Sequence, residues 1–154
     1  MPNSVQNALF FGRKRLSKLV IPWCTYTDPE VAGVGMTPAQ AEQQGVAIDT
    51  YTVPMRDNDR ARTEGETEGF VRVHTRKGKD AIVGATLVGP GAGELVALVT
   101  TAMTAGLGLG ALAGTILPYP TRAMAITGAA NAYMRTRLTP FAKKALGVVL
   151  KLGR

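Results

Sequence analysis

Residues 70–88 read FVRVHTRKGKDAIVGATLV, and their spacing decides the fold. From Phe70 to Thr75 the chain alternates, setting Val71 and Val73 on one side and Arg72 and His74 on the other, as a strand with one wet face requires. Residues Arg76 to Asp80 turn around Gly78, and Ala81 to Val88 returns as a second β-branched run, so the pair reads as an antiparallel hairpin. On this reading His74 is a surface residue beside Arg72, not a ligand or a base.

Upstream, IPWCTYTDPEVAGVG (residues 21–35) holds β-branched and aromatic residues broken by Pro22, Pro29 and Gly33, which predicts short strands joined by tight turns. Thr37-Pro38-Ala39-Gln40 is a helix start: Thr37 caps, Pro38 suits the first helical position and Gln40 closes a capping box. Gly45 ends that helix, Ala47 to Val53 has strand character, and a polar connection through Asp57, Asn58, Asp59 and Arg60 leads to the acidic stretch Glu64 to Glu68. Glu64, Glu66 and Glu68 are expected in a mobile, solvated loop, where they would hold a cation only weakly.

Downstream, Leu95 to Thr121 carries no charged side chain. Gly106, Gly108, Gly110, Gly114 and Pro118 break the run after a helix at Leu95–Ala105, which favours a core or subunit interface over a bilayer span. A helix from Pro120-Thr121 to about Arg137 follows, with Ala123, Ile126, Ala130 and Tyr133 at helical spacing. Thr139-Pro140 starts a last one, whose apolar stripe includes Phe141, Val148 and Leu152. The predicted class is α+β: a small antiparallel sheet flanked by helices.

Charge is unevenly placed within a net +7. Arg13, Lys14, Arg15 and Lys18 make the start basic, all eleven acids lie between Asp28 and Glu94, and seven bases follow without an acid. Lys143, Lys144 and Lys151 on an amphipathic tail suit an anionic membrane surface, the alternative being that the stripe folds back on its own domain. Nucleic-acid binding is not expected, because few aromatics interleave with the basic residues. One cysteine, Cys24, and one histidine, His74, exclude an internal disulfide and leave no metal cluster. Cys24, next to Trp23, reads as a small buried hydrophobe. The basic run follows the short apolar stretch Ala8–Phe11, the reverse of a secretory signal, so a cytoplasmic location is expected.

Three segments together, IPWCTYTDPEVAGVGMTPAQAEQQG (21–45), GFVRVHTRKGKDAIVGATLVGPGAGELV (69–96) and ILPYPTRAMAITGAANAYMRTRLTP (116–140), resemble the C-terminal dimerisation domain of the pyridine nucleotide-disulfide oxidoreductases. That family includes dihydrolipoamide dehydrogenase, glutathione reductase and mercuric reductase; the third block is most similar to the mercuric-reductase-like branch. NALFFGRKRLSKL (7–19) is similar to the family's connection out of the FAD domain. The resemblance therefore divides the chain into a connecting remnant at 1–19, the dimerisation domain at 20–137 and a basic tail at 138–154.

The resemblance implies a homodimer and, for the intact enzyme, FAD and NAD(P)H. This chain lacks the means to hold either cofactor. No GxGxxG fingerprint occurs, since Gly106-Leu107-Gly108-Leu109-Gly110 follows a helix and lacks the third glycine at the proper spacing, and one thiol cannot form the redox pair. The chain is thus expected to be inactive alone, or to belong to a split oxidoreductase completed by a separate FAD/NAD(P)H-binding chain. Many relatives place a His before Pro-Thr and a Glu five positions on, acting in trans as acid–base. Those positions here are Tyr119 and Met124. Tyr119 is the candidate contact to a partner's flavin or substrate site, as hydrogen-bond donor or weak metal ligand, with Pro118 beside it as a backbone contact. The alternative is a tyrosine in a structural Pro-Tyr-Pro turn.

Overall fold

The computed structural model describes residues 19–139. Segments 1–18 and 140–154, and with them the connecting stretch and almost all of the basic tail, lie outside the described residues. Five strands, β1 (Pro22–Thr25), β2 (Val31–Gly35), β3 (Ile48–Pro54), β4 (Phe70–Arg76) and β5 (Ile82–Val88), form one antiparallel sheet in the order β1-β2-β5-β4-β3. The helices are α1 (Pro38–Gln43), α2 (Asp59–Glu64), α3 (Ala92–Thr104), α4 (Leu109–Ala113) and α5 (Met124–Thr136), with a 3-10 turn at Met55–Asp57. The expected α+β class and hairpin are present.

Register explains where the core lies. Cys24, Ala32, Leu87, Val71 and Val53 face one another across the five strands, as do Val34, Ala85, Val73 and Tyr51. These rows share one face, and both long helices cover it. Helix α3 lies on β1, β2 and β5, burying Ala92, Val96, Val99 and Ala102 at helical spacing. Helix α5 lies on β3 and β4, burying Ile126, Ala130 and Tyr133, whose ring meets that of Tyr51 edge-on at 5.7 Å. The glycine-rich stretch turns the chain between α3 and α4. No helix among the described residues is long and apolar enough to cross a membrane.

The opposite face carries Trp23, Gly33, Thr86, Arg72 and Thr52 in one row. Trp23 lies over Gly33, where a Cβ would come within 2.6 Å of the indole ring, and the Arg72 guanidinium sits 4.6 Å from the Phe70 ring centroid.

His74 corrects the expectation of a wet position. It lies on this same opposite face, yet it is fully buried, with Nδ1 2.9 Å from Thr50 Oγ1. The cause is topological. Strand β2 is second in the sheet and β3 is last, so the connection through α1 must cross β5 and β4. It crosses over this end of the opposite face, with the Met36 backbone lying against Gly84, the register partner of His74.

Candidate functional site

Proline restricts the turn Pro118–Arg122, which delivers the chain from α4 into α5, and it has cis geometry at Tyr119–Pro120. What fixes it in space is a second segment sixty residues earlier. Asn58 caps α2, accepting from the Ala61 backbone N–H at 3.1 Å, and its amide donates to the Thr121 carbonyl at 3.1 Å. Asn58 is buried, so each of these bonds contributes on the order of 1 kcal/mol and would leave an unmatched polar group if lost. The Tyr119 hydroxyl donates to Asp59 Oδ2 at 3.1 Å. Arg122 pairs with both Glu64 and Glu66, and Arg60 pairs with Glu64 one helical turn on.

Residues 58–66 therefore hold the turn, and Glu64 and Glu66, expected in a mobile, solvated loop, are part of that holder through their pairing with Arg122. The electrostatics follow from the contacts. The Glu64 carboxyl is held below its ordinary range, first by the hydrogen bond from Arg60 and also by the charges of Arg122 and Arg60, with desolvation opposing. The Tyr119 phenol is held above its ordinary range, first by the hydrogen bond to Asp59, then by that carboxylate's charge, then by desolvation.

Tyr119 stands 70% exposed and Pro118 is exposed beside it. Met124 opens α5 on a groove of about 220 Å³ that Asn58 and Asp59 also line. The structure thus brings Tyr119 and Met124 toward a carboxylate that the sequence reading did not connect with them. Cys24 packs on the core edge beside Gly93, and its thiol is pushed up by desolvation and then by Glu30, which suits a small apolar role rather than a nucleophile. His74 lies elsewhere, on the opposite face of the sheet and in register with Gly84, over which the Met36 backbone passes. No group of three or more His, Cys, Asp or Glu side chains among the described residues is arranged to hold a metal ion.

Gly108 lies so close to Asp80 that a Cβ would collide with the carboxylate, and the Leu109 amide is taken by the Asp80 carbonyl at 2.9 Å. The glycine-rich run is a helix break facing an acid, and a phosphate would be repelled there.

A second feature faces outward and carries almost no charge. Helix α3 turns Ala97, Thr101 and Thr104 to solvent, with no charge along that side beyond Glu94. Beyond α4, Ile116 is 96% exposed, two residues before Pro118.

The family model for the pyridine nucleotide-disulphide oxidoreductase dimerisation domain matches residues 21–130. Among curated proteins, dihydrolipoyl dehydrogenase 2 of Haloarcula marismortui is 43% identical over 112 residues, 73% of this chain and 24% of its own. Mercuric reductase of Streptomyces lividans is 35% identical over 127 residues, 82% of this chain and 27% of its own. The chain spans about a quarter of the length of these relatives. Among solved structures, LpdA of Mycobacterium tuberculosis superposes with a TM-score of 0.75 at 30% identity, over 84% of this chain and 28% of that one. The HOCl-induced flavoprotein disulfide reductase RclA of Escherichia coli, at 24% identity and a TM-score of 0.76 over 84% of this chain and 30% of that one, shares the fold.

Proposed function

The chain belongs to the pyridine nucleotide-disulphide oxidoreductases as their dimerisation domain, and from that premise we propose that it joins two copies of itself in a two-fold contact. The observation that carries this is Ile116, left 96% exposed to water, together with an outward side of α3 that bears no charge beyond Glu94. A two-fold contact would cover the same patch on both copies. A standard interface of about 1,600 Å², with apolar burial near 25 cal/mol per Å², has ample driving force after the cost of association.

In this reading the chain runs no flavin–dithiol chemistry by itself. Its residues do not fit a dinucleotide: the glycine run faces Asp80, and the single thiol, Cys24, is a core-edge side chain. FAD and NAD(P)H belong to other domains or to a separate chain, and Pro118 and Tyr119 meet a partner's flavin or substrate site from outside. Tyrosine at position 119 favours the mercuric-reductase-like branch over those with an imidazole there, and a single, unpaired cysteine suits a cytoplasmic setting.

Light scattering on the purified chain, with a visible spectrum of the same sample, tests the reading. A colourless dimer is expected. A strict monomer at concentrations of about 100 μM, far above the nanomolar to micromolar range of specific interfaces, or a flavin absorbance that co-elutes with the chain, would overturn it.

A further inference from the structure

We infer that Asp59 is a positioning residue for Tyr119: its carboxylate engages the phenol's only proton, so that the hydroxyl oxygen is presented outward as a hydrogen-bond acceptor. The ligand class this suits is a donor, such as a thiol S–H or an N–H group brought by the apposed surface. The inference rests on the proposed assembly for its partner, and on the geometry alone for the role of Asp59.

A phenol hydroxyl has one proton and two lone pairs. Here the proton goes to Asp59 Oδ2, 3.1 Å away, and the side chain is otherwise 70% exposed. A bond to an ionised carboxylate is stronger than a neutral one, so an incoming acceptor would have to displace a carboxylate while an incoming donor finds free lone pairs. Exposure weakens a lone hydrogen bond, but this one does not hold its partners unaided. Asn58, next to Asp59, binds the carbonyl of Thr121, two residues past Tyr119, and Arg122 is paired to Glu64 and Glu66 at the other end of α2. Both ends of the Tyr119–Asp59 bond therefore lie on segments already fixed to each other, and little further freedom is lost in forming it. The phenol's ionisation, displaced upward chiefly by this hydrogen bond, agrees with a proton held toward the carboxylate.

Tyrosine-ring ¹³C NMR on the full chain reads this directly, since Tyr119→Phe identifies the line among four tyrosines. In a pH titration Tyr119 is expected to ionise above the ordinary phenol value of about 10, with Asp59→Asn returning it toward that value and Asp59→Glu keeping it raised. At neutral pH, where alkaline unfolding plays no part, the Raman difference between the chain and Tyr119→Phe should carry the signature of a donating phenol and lose it in Asp59→Asn. An Asp59→Asn variant that leaves both readouts unchanged overturns the inference. Light scattering on the same samples separates the two readings: coupling in a monomeric chain sinks the assembly alone, and a dimer without coupling sinks the role of Asp59 alone.

Discussion

His74 is buried with Nδ1 bonded to Thr50, and its Nε2 has no hydrogen-bond partner among the described residues. Burial, and secondarily the charge of Arg72, hold its imidazole below the ordinary histidine value of 6.5. In the unfolded chain the ring takes up its proton as pH falls through that ordinary value, while the folded chain resists. The unfolded state then binds more protons, so stability falls with pH below about 6.5, until the folded-state value is reached. Urea unfolding at pH 7.5 and pH 5.5 should show a lower midpoint at the acid end, and His74→Gln should flatten the difference. Glu64 does not intrude, because a carboxyl lowered from 4.5 begins to lose its contribution only as pH drops below that value. Equal pH dependence in His74→Gln would remove His74 as the cause. Alternation in β4 was legible in the sequence, and it put Val71 and Val73 correctly in the core. It misplaced His74 because period-two spacing gives the face of a residue and is silent about what crosses that face.

At the scale of elements, α1 shows why a short helix can be read in advance. Thr37 accepts from the Gln40 amide at 3.3 Å while the Gln40 side chain accepts from the Thr37 amide at 2.9 Å, and Pro38 follows the cap. All of its signals are local. Thr37→Ala is expected to cost about 1 kcal/mol in urea unfolding, the usual worth of an N-cap. Gly84→Ala should cost more, about 2 to 3 kcal/mol, because the added methyl meets the backbone of Met36 and no side chain there can swing away. Near-equal losses in the two variants would mean that the crossover yields more readily than its contact with Gly84 implies. Helix α2 is as short as α1 but was not legible: it buries only Ala61, so it has no apolar period, and its charges resemble a solvated loop. Its frame was nonetheless present in the sequence as Asn58 before the first turn and Gly65 after the last. So was a hint of its partner, since Arg122 ends the charge-free run in a half of the chain that holds no acid after Glu94. Where such a cation pairs within the chain, its counter-charge lies upstream.

For the whole molecule, the strand order places sequence-distant segments side by side, and that determined what could be anticipated. Hairpin β4–β5 follows from its turn, but the entry of β5 between β2 and β4 follows only from packing both long helices on one face. The candidate site divides in the same way: Tyr119 is marked by its place in the block that resembles the family's closing segment, whereas Asp59 reaches it only through the completed fold. Among the side chains the fold leaves in water is Ile116, and this gives the proposed assembly a thermodynamic signature. If copies associate only when folded, association stabilises the native state by mass action, and the thermal midpoint must rise with protein concentration. Ile116 is 96% exposed and touches almost nothing in its own chain, so Ile116→Asp should leave the midpoint at high dilution within about 0.5 kcal/mol of the parent. In an interface the same carboxylate would be buried without a partner, weakening association on the order of 100-fold, or about 2.7 kcal/mol. Scanning calorimetry over a wide range of concentrations should therefore show a rising midpoint for the parent, with the rise in the variant displaced to about 100-fold higher concentration. Coincident curves would place Ile116 outside the contact, and a flat parent curve would overturn the proposed association of two copies.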